Sequence, residues 1–111
     1  MSTVISPKAY VSLRAHVGEG TIIMHDAFVN TGASVGIDCI VNTKALIEHD
    51  AQIADHCHIS TGAIINGGAR IGEKTFVGSG AVIAEYRNVP AQMFVKAASV
   101  WSKFRVGETD V

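Results

Sequence analysis

The chain has 111 residues, of which 48% are hydrophobic and 17% are charged, so its composition is that of a packed domain and not of a disordered segment. Its length suits one domain. The formal net charge is −1, from nine basic and ten acidic side chains, and this balance gives no general attraction to nucleic acid or to anionic membranes.

The N-terminus, MSTVISPKAY, lacks the basic start and apolar core of a signal peptide. No apolar run approaches the roughly 20 residues that a membrane-spanning helix needs. Two cysteines, Cys39 and Cys57, are too few for a disulfide scaffold and lack the CxxC spacing of a zinc or redox motif. We therefore expect a cytoplasmic protein with reduced thiols and no membrane association.

A six-residue repeat begins near the N-terminus and continues almost to the end of the chain. An Ile or Val occupies every sixth position without exception: Ile5, Val11, Val17, Ile23, Val29, Val35, Val41, Ile47, Ile53, Ile59, Ile65, Ile71, Val77, Ile83, Val89 and Val95. β-Branched side chains pack well on a pleated surface, so each one marks the inward residue of a short strand. A period of six does not match a helix, and sandwich strands would follow one another at longer and less regular intervals.

A small residue follows each of these markers by four positions, from Ala9 to Ala81, until Arg87 interrupts the series. Small inward residues and the many Gly and Asn residues between them are typical of tight corners. Three hexads then form an 18-residue triangular coil, and about five coils stack with parallel pairing at about 4.8 Å. The sequence predicts an all-β fold, a single-stranded parallel β-helix.

The residue before each marker points outward, and these residues fall into three columns. The first and third columns are apolar apart from His58, and the second is entirely polar. The first contains Tyr10, Phe28, Leu46, Ile64, Val82 and Val100; the third contains Ile22, Ile40, His58, Phe76 and Phe94; the polar second contains His16, Ser34, Gln52, Arg70 and Asn88. Two apolar outer faces on so small a prism predict a homotrimer, with a dimer or a separate partner chain as the alternatives.

The pattern loosens toward the C-terminus. We expect the β-helix domain to comprise residues 1–94 and a capping tail to comprise residues 95–111. The tail contains Trp101 and Phe104, which are suited to closing the open end of a solenoid.

The segments NTKALIEHD (42–50) and HISTGA (58–63) closely resemble the sugar acetyltransferases of the sialic-acid and bacillosamine pathways, the NeuD/PglD type of the hexapeptide-repeat acyltransferase superfamily. The resemblance spans about residues 5–83. It implies a left-handed β-helix and transfer of an acetyl group from acetyl-CoA to an oxygen or nitrogen of a small acceptor such as an amino sugar or nucleotide sugar. The left hand comes from the resemblance alone, because parallel crossovers are generally right-handed.

The resemblance also assigns roles to three residues. His49 matches the general base, Asp50 matches the carboxylate that orients its imidazole, and His58 matches a second histidine near the acetyl carbonyl, across a subunit boundary. Imidazole titrates near neutral pH, which suits a group that accepts and returns a proton. His58 is also the one polar member of an apolar column, and we interpret this position as functional. The alternative is a structural role, in which His58 forms a hydrogen bond with a backbone carbonyl.

The other histidines invite weaker interpretations. The pair His25-Asp26 has the same place in its hexad as His49-Asp50, and we interpret His25 as structural and His56 as an exposed corner residue. No two of the five histidines have the five-residue separation found in the zinc sites of trimeric β-helix carbonic anhydrases, so no metal is expected.

Residues with small side chains could leave room for the pantetheine arm of acetyl-CoA beside the backbone. We assign this role to Gly62, Gly78, Gly80 and Ala81, with Lys96, Lys103 or Arg105 for the phosphates, although the glycines could equally serve the corners.

The family usually carries an N-terminal βαβ domain for the nucleotide-sugar acceptor, and a further coil near the C-terminus, which have no counterpart in this sequence. The alternative function is therefore a non-catalytic trimeric binding or scaffold module.

Overall fold

The computed structural model describes residues 2–107, in which 17 strands of two residues each follow one another at six-residue intervals. They form three parallel sheets, which are the three sides of a β-solenoid of about five turns. The predicted parallel β-helix is confirmed. No helix occurs in this part of the chain, and therefore none that could cross a membrane.

Sheet A has six strands, and each strand pairs with the equivalent strand of the next coil. They are β1 (Val4–Ile5), β4 (Ile22–Ile23), β7 (Ile40–Val41), β10 (His58–Ile59), β13 (Phe76–Val77) and β16 (Phe94–Val95). The first residue of each strand points outward, and these residues lie in register, so that His58 lies between Ile40 and Phe76. Sheet A thus presents an apolar outer face that one histidine interrupts.

Sheet B also has six strands and a wholly apolar outer column. The strands are β2 (Tyr10–Val11), β5 (Phe28–Val29), β8 (Leu46–Ile47), β11 (Ile64–Ile65), β14 (Val82–Ile83) and β17 (Val100–Trp101). Tyr10 and Phe28 stack with their ring centroids 4.7 Å apart. Both rings are largely exposed, as is Val100.

Sheet C has five strands and a polar outer column. The strands are β3 (His16–Val17), β6 (Ser34–Val35), β9 (Gln52–Ile53), β12 (Arg70–Ile71) and β15 (Asn88–Val89). The three columns therefore have the composition that the 18-residue coil predicts. One side of the prism favours contact with water, and two sides do not.

The core is the inside of the prism. The inward Ile and Val residues from Ile23 to Val95 are at most 3% exposed, and each such burial contributes roughly 1.5–3 kcal/mol before the loss of entropy. Ile5 is 44% exposed because no described coil lies beneath it. Stacking of coils therefore creates the core, as the repeat predicts.

Each corner contains one residue in the left-handed region of backbone conformation. From residue 20 to residue 104 this conformation recurs at every sixth position, directly before the small inward residue. Glycine occupies five of these positions in residues 20–104, and ten are occupied by other residues, Asp50 among them with φ of 59°. Corner geometry is thus fixed by the repeat even where the residue lacks the conformational freedom of glycine.

One inward corner carries a ladder of hydrogen-bond donors. Thr21 and Thr75 donate from Oγ1 to the carbonyls of Gly36 and Pro90, at 2.7 and 3.0 Å. Between them the thiols of Cys39 and Cys57 donate to the carbonyls of Ala54 and Gly72, at 3.2 and 3.1 Å. Both cysteines are buried and free, so they act as small core residues that satisfy corner carbonyls.

The C-terminal end of the described chain continues the strand pairing of the solenoid. Strand pairing continues through β17, where Trp101 takes the inward position opposite Ile83 and donates from Nε1 to the carbonyl of Asn88 at 3.2 Å. The chain then turns back, and Arg105 forms an antiparallel bridge with Arg87. Residues 108–111 of the expected tail lie outside the described residues.

Candidate active site

One edge of the prism, where each strand of sheet B leads into sheet C, carries two of the three candidate catalytic residues, His49 and Asp50. Successive coils place His49, Gly67 and Glu85 at the same position of this corner. The amide of Gly68 donates to the carbonyl of His49 at 3.0 Å, which ties the two coils together at this point. We call this line of residues the B–C edge.

His49 and Asp50 form a pair on this edge. The Nδ1 atom of His49 lies 3.3 Å from Oδ2 of Asp50, and both side chains are at least half exposed. A hydrogen bond at Nδ1 holds the proton there and leaves Nε2 with a free lone pair. Gly32, one coil below, leaves room for the carboxylate, because a Cβ at that position would collide with Oδ1 of Asp50.

Gly67 leaves equivalent room for the imidazole. A Cβ built on Gly67 would lie 2.5 Å from Nε2 of His49 and 2.7 Å from its Cε1. Gly67 does not have a left-handed backbone, so its requirement for glycine comes from the His49 ring of the preceding coil. The structure thus places the basic nitrogen of His49 against a bare stretch of main chain.

A groove of about 520 Å³ opens beside this nitrogen. It is lined by Glu48, His49, Asn66, Gly67, Val82, Ala84 and Glu85. The carboxylate of Glu48 is held by a hydrogen bond of 3.0 Å from the side-chain amide of Asn30. Two carboxylates and one imidazole therefore face a space large enough for a small substrate.

His58 lies on another side of the prism, as the outward residue of β10 on sheet A. Its ring meets the Phe76 ring edge-on, with centroids 4.9 Å apart. Its Nε2 atom is buried and has no hydrogen-bond partner among the described residues. Buried nitrogens are rarely left unpaired, so this atom is suited to a partner from outside the chain.

The remaining candidate histidines already have partners at other corners. His25 Nδ1 is hydrogen-bonded to the hydroxyl of Ser6, and His56 Nδ1 lies 3.7 Å from Oδ2 of Asp38. Neither histidine borders the groove beside His49. Within residues 2–107 there is no group of three His, Cys, Asp or Glu side chains that could hold a metal ion.

The residues assigned to the pantetheine arm, and Lys96, all lie where sheet A leads into sheet B, and they differ in surroundings. A Cβ on Gly62 or Gly80 would meet no atom within 4 Å, which leaves open space beside the main chain. A Cβ on Gly78 would lie 2.5 Å from the amide nitrogen of Ala97, so packing of the next coil requires that glycine. The Ala81 side chain is fully buried in the core, and the Lys96 side chain is exposed.

The repeat is that of a known family. The model of the bacterial transferase hexapeptide family, six repeats, matches residues 50–85. The acetyltransferase domain of PglB from Neisseria gonorrhoeae has a solved structure that matches with a TM-score of 0.89 and 33% identity, over 96% of this chain and 51% of that chain. The chain belongs to the hexapeptide-repeat acyltransferase superfamily.

Two further solved structures contain ligands. The PglB domain in complex with acetyl coenzyme A matches with a TM-score of 0.85 and 35% identity, over 86% of this chain and 47% of that chain. PerB from Caulobacter crescentus, in complex with CoA and GDP-perosamine, matches with a TM-score of 0.70 and 28% identity, over 96% of this chain and 55% of that chain. This hexapeptide-repeat chain spans about half the length of these structures. No curated protein sequence matches it significantly.

The sequence interpretation missed several residues of this hexapeptide-repeat site. The family motif indicates no role for Glu48, Asn66, Gly67 or Glu85. The 18-residue coil is the signal that could find them, because it places residues 66 and 67 one coil above residues 48 and 49, and residues 84 and 85 one coil higher.

Proposed function

We propose that the protein is an acetyl-CoA-dependent acetyltransferase in which His49 is the general base. The observation that carries this proposal is the His49–Asp50 pair, whose free Nε2 lies over Gly67 at the mouth of the groove. Imidazole oriented by a carboxylate is suited to removing a proton from an attacking nucleophile.

The donor and the acceptor class follow from the relatives. The PglB domain has been solved with acetyl coenzyme A, and PerB with CoA and GDP-perosamine. Glu48 and Glu85 make the groove beside His49 acidic, which favours an acceptor that carries an amine. We therefore propose acetyl transfer to the amino group of a sugar or a similar small acceptor.

The reaction needs one proton transfer in each direction. The acceptor amine attacks the thioester carbonyl, so a C–N bond forms while His49 removes a proton from the amine. The tetrahedral intermediate then collapses, the C–S bond breaks, and the proton on His49 passes to the departing CoA sulfur. Asp50 stabilises the imidazolium between these two steps.

His58 is proposed to act at a subunit boundary. Its buried and unpaired Nε2 suits a contact with the acetyl carbonyl or with a neighbouring subunit, and the apolar outer faces of sheets A and B are proposed to form a homotrimer. We place the reaction in the cytoplasm, where acetyl-CoA is available and where thiols such as Cys39 and Cys57 stay reduced.

The test compares His49→Ala with His25→Ala, because both histidines precede an Asp at the same place in the hexad. Loss of a general base is expected to lower kcat at least about 100-fold for His49→Ala. The His25→Ala variant should keep wild-type kcat. Similar turnover of the two variants on an amino-sugar acceptor would remove His49 from the mechanism.

Calorimetry with CoA separates this proposal from the scaffold alternative. An acetyltransferase should bind CoA in the micromolar to low millimolar range, with or without His49. Absence of binding at millimolar CoA would favour a non-catalytic binding module.

A further inference from the structure

Arg87 stands where the repeat calls for a small inward residue. The equivalent positions of the preceding coils are occupied by Ala, Thr or Cys that are at most 2% exposed from Thr21 to Ala81. An arginine cannot enter that space, and Arg87 is instead partly exposed. Its guanidinium turns to the main chain, donating from Nη1 to the carbonyl of Glu85 at 3.1 Å and from Nε to that of Ser102 at 3.0 Å.

The returning C-terminal segment brings a second arginine to the same place. The amide of Asn88 donates to the carbonyl of Phe104, and the amide of Val106 donates to that of Tyr86, both at 2.7 Å. These bonds flank the antiparallel bridge between Arg87 and Arg105. The only described departure from parallel pairing in residues 2–107 therefore brings two arginines side by side at one spot.

This spot continues the groove of the candidate active site. A pocket of about 400 Å³ is lined by Ala84, Glu85, Tyr86, Arg87 and Arg105, and it shares Ala84 and Glu85 with the groove beside His49. His49 and Glu85 are two coils apart on the B–C edge, which is about 10 Å at the usual strand spacing. The His49 end of the combined groove is acidic through Glu48, the other end carries the two arginines, and Glu85 lines both parts.

We propose that the Arg87–Arg105 pocket binds a phosphoryl group of a substrate whose reacting group lies at His49. Guanidinium groups match phosphate oxygens in geometry and charge, and Arg87 is held in place by its two bonds to the main chain. The acidic end would receive the amine of the same molecule. The inference rests on the proposed function for its substrate, but the phosphate site itself can be measured without turnover.

Two sources could supply the phosphoryl group, namely the acceptor and CoA. The short span along the B–C edge suits a phosphate attached near the acceptor sugar. In CoA the whole pantetheine arm separates the thioester from the diphosphate, so its phosphates would lie further from His49.

The test measures binding of inorganic pyrophosphate to the full chain by calorimetry, in the wild type, Arg105→Gln and Lys103→Gln. Lys103 lies on the same returning segment, with its Nζ 5.4 Å from the centre of the Trp101 ring, and does not border the pocket. Both variants lose one positive charge. We expect Arg105→Gln to weaken binding about tenfold or more and Lys103→Gln to weaken it less than about threefold.

Equal weakening in both variants, or no binding to the wild type at millimolar pyrophosphate, would overturn the site. A titration repeated with saturating CoA assigns the source: binding that persists supports an acceptor phosphate, and binding that CoA abolishes supports the CoA diphosphate. A wild type that binds pyrophosphate but transfers no acetyl group would reject the proposed function and leave the phosphate site standing.

Discussion

Gly67 shows how a single missing side chain supports the candidate site. The imidazole of His49 occupies the space that a Cβ on Gly67 would take. The carboxylate of Asp50 likewise occupies the space that a Cβ on Gly32 would take. Both glycines belong to the B–C edge. The orientation of the pair thus depends on residues one coil away, and not only on the two side chains that carry the chemistry.

Gly67→Ala is expected to displace the His49 ring and to lower kcat by about 10- to 100-fold, since small misplacements of reacting groups are costly. The backbone of Gly67 suits alanine, so the fold should persist. Steady-state kinetics together with thermal unfolding check this.

The His49→Ala background supplies the control. The three atoms nearest to the new methyl group all belong to the imidazole, so Gly67→Ala should change the melting temperature of the wild type much more than that of His49→Ala. Wild-type kcat in Gly67→Ala would contradict the proposed position of the base.

At the scale of the elements, the Thr and Cys ladder explains why the two cysteines occupy their positions. The thiol of Cys57 donates to the carbonyl of Gly72 just as the hydroxyl of Thr75 donates to that of Pro90. The hydrogen bond with the neighbouring Cys39 thiol, followed by burial, raises the pKa of Cys57 above its usual value. The ladder therefore stabilises the protonated thiol.

This raised pKa predicts a pH dependence of stability. The unfolded chain releases the Cys57 proton above about pH 8.5, while the folded chain retains it. The contribution of Cys57 to the free energy of unfolding is complete below about pH 8.5, and this contribution should fall as the pH rises above that value.

Cys57→Thr keeps a donor in the ladder and removes the titration, so its stability should fall less at alkaline pH. Urea unfolding at about pH 7.5 and about pH 10 compares the two proteins. An identical pH dependence in the variant would show that Cys57 does not contribute.

At the scale of the molecule, the outer faces of sheets A and B are the features without a partner in a single chain. Phe76 and Phe94 stack on sheet A with ring centroids 5.3 Å apart, and Phe94 remains 68% exposed. Exposed apolar columns of this kind usually mark a subunit contact. The proposed homotrimer would cover them and would provide surroundings for Nε2 of His58.

Light scattering is expected to give a mass of about three times 11.7 kDa for the wild type. Phe76→Asp places a charge on the apolar face and should yield monomers with greatly reduced acetyl transfer, because burying an unpaired charge is costly. Gln52→Asp on the polar sheet C is the matched control and should leave the assembly intact. A monomeric wild type would refute the homotrimer.

The sequence by itself determined the coil, because the six-residue period sets which residues point inward and the 18-residue turn sets which residues stack. Through the resemblance to the family motif it also suggests the roles that we propose for His49, Asp50 and His58. Only the tertiary structure decided that Gly67 leaves room for the His49 ring, that Glu85 borders the same groove, and that Arg105 returns to Arg87. These contacts depend on side-chain directions and on an antiparallel return, neither of which a parallel repeat encodes.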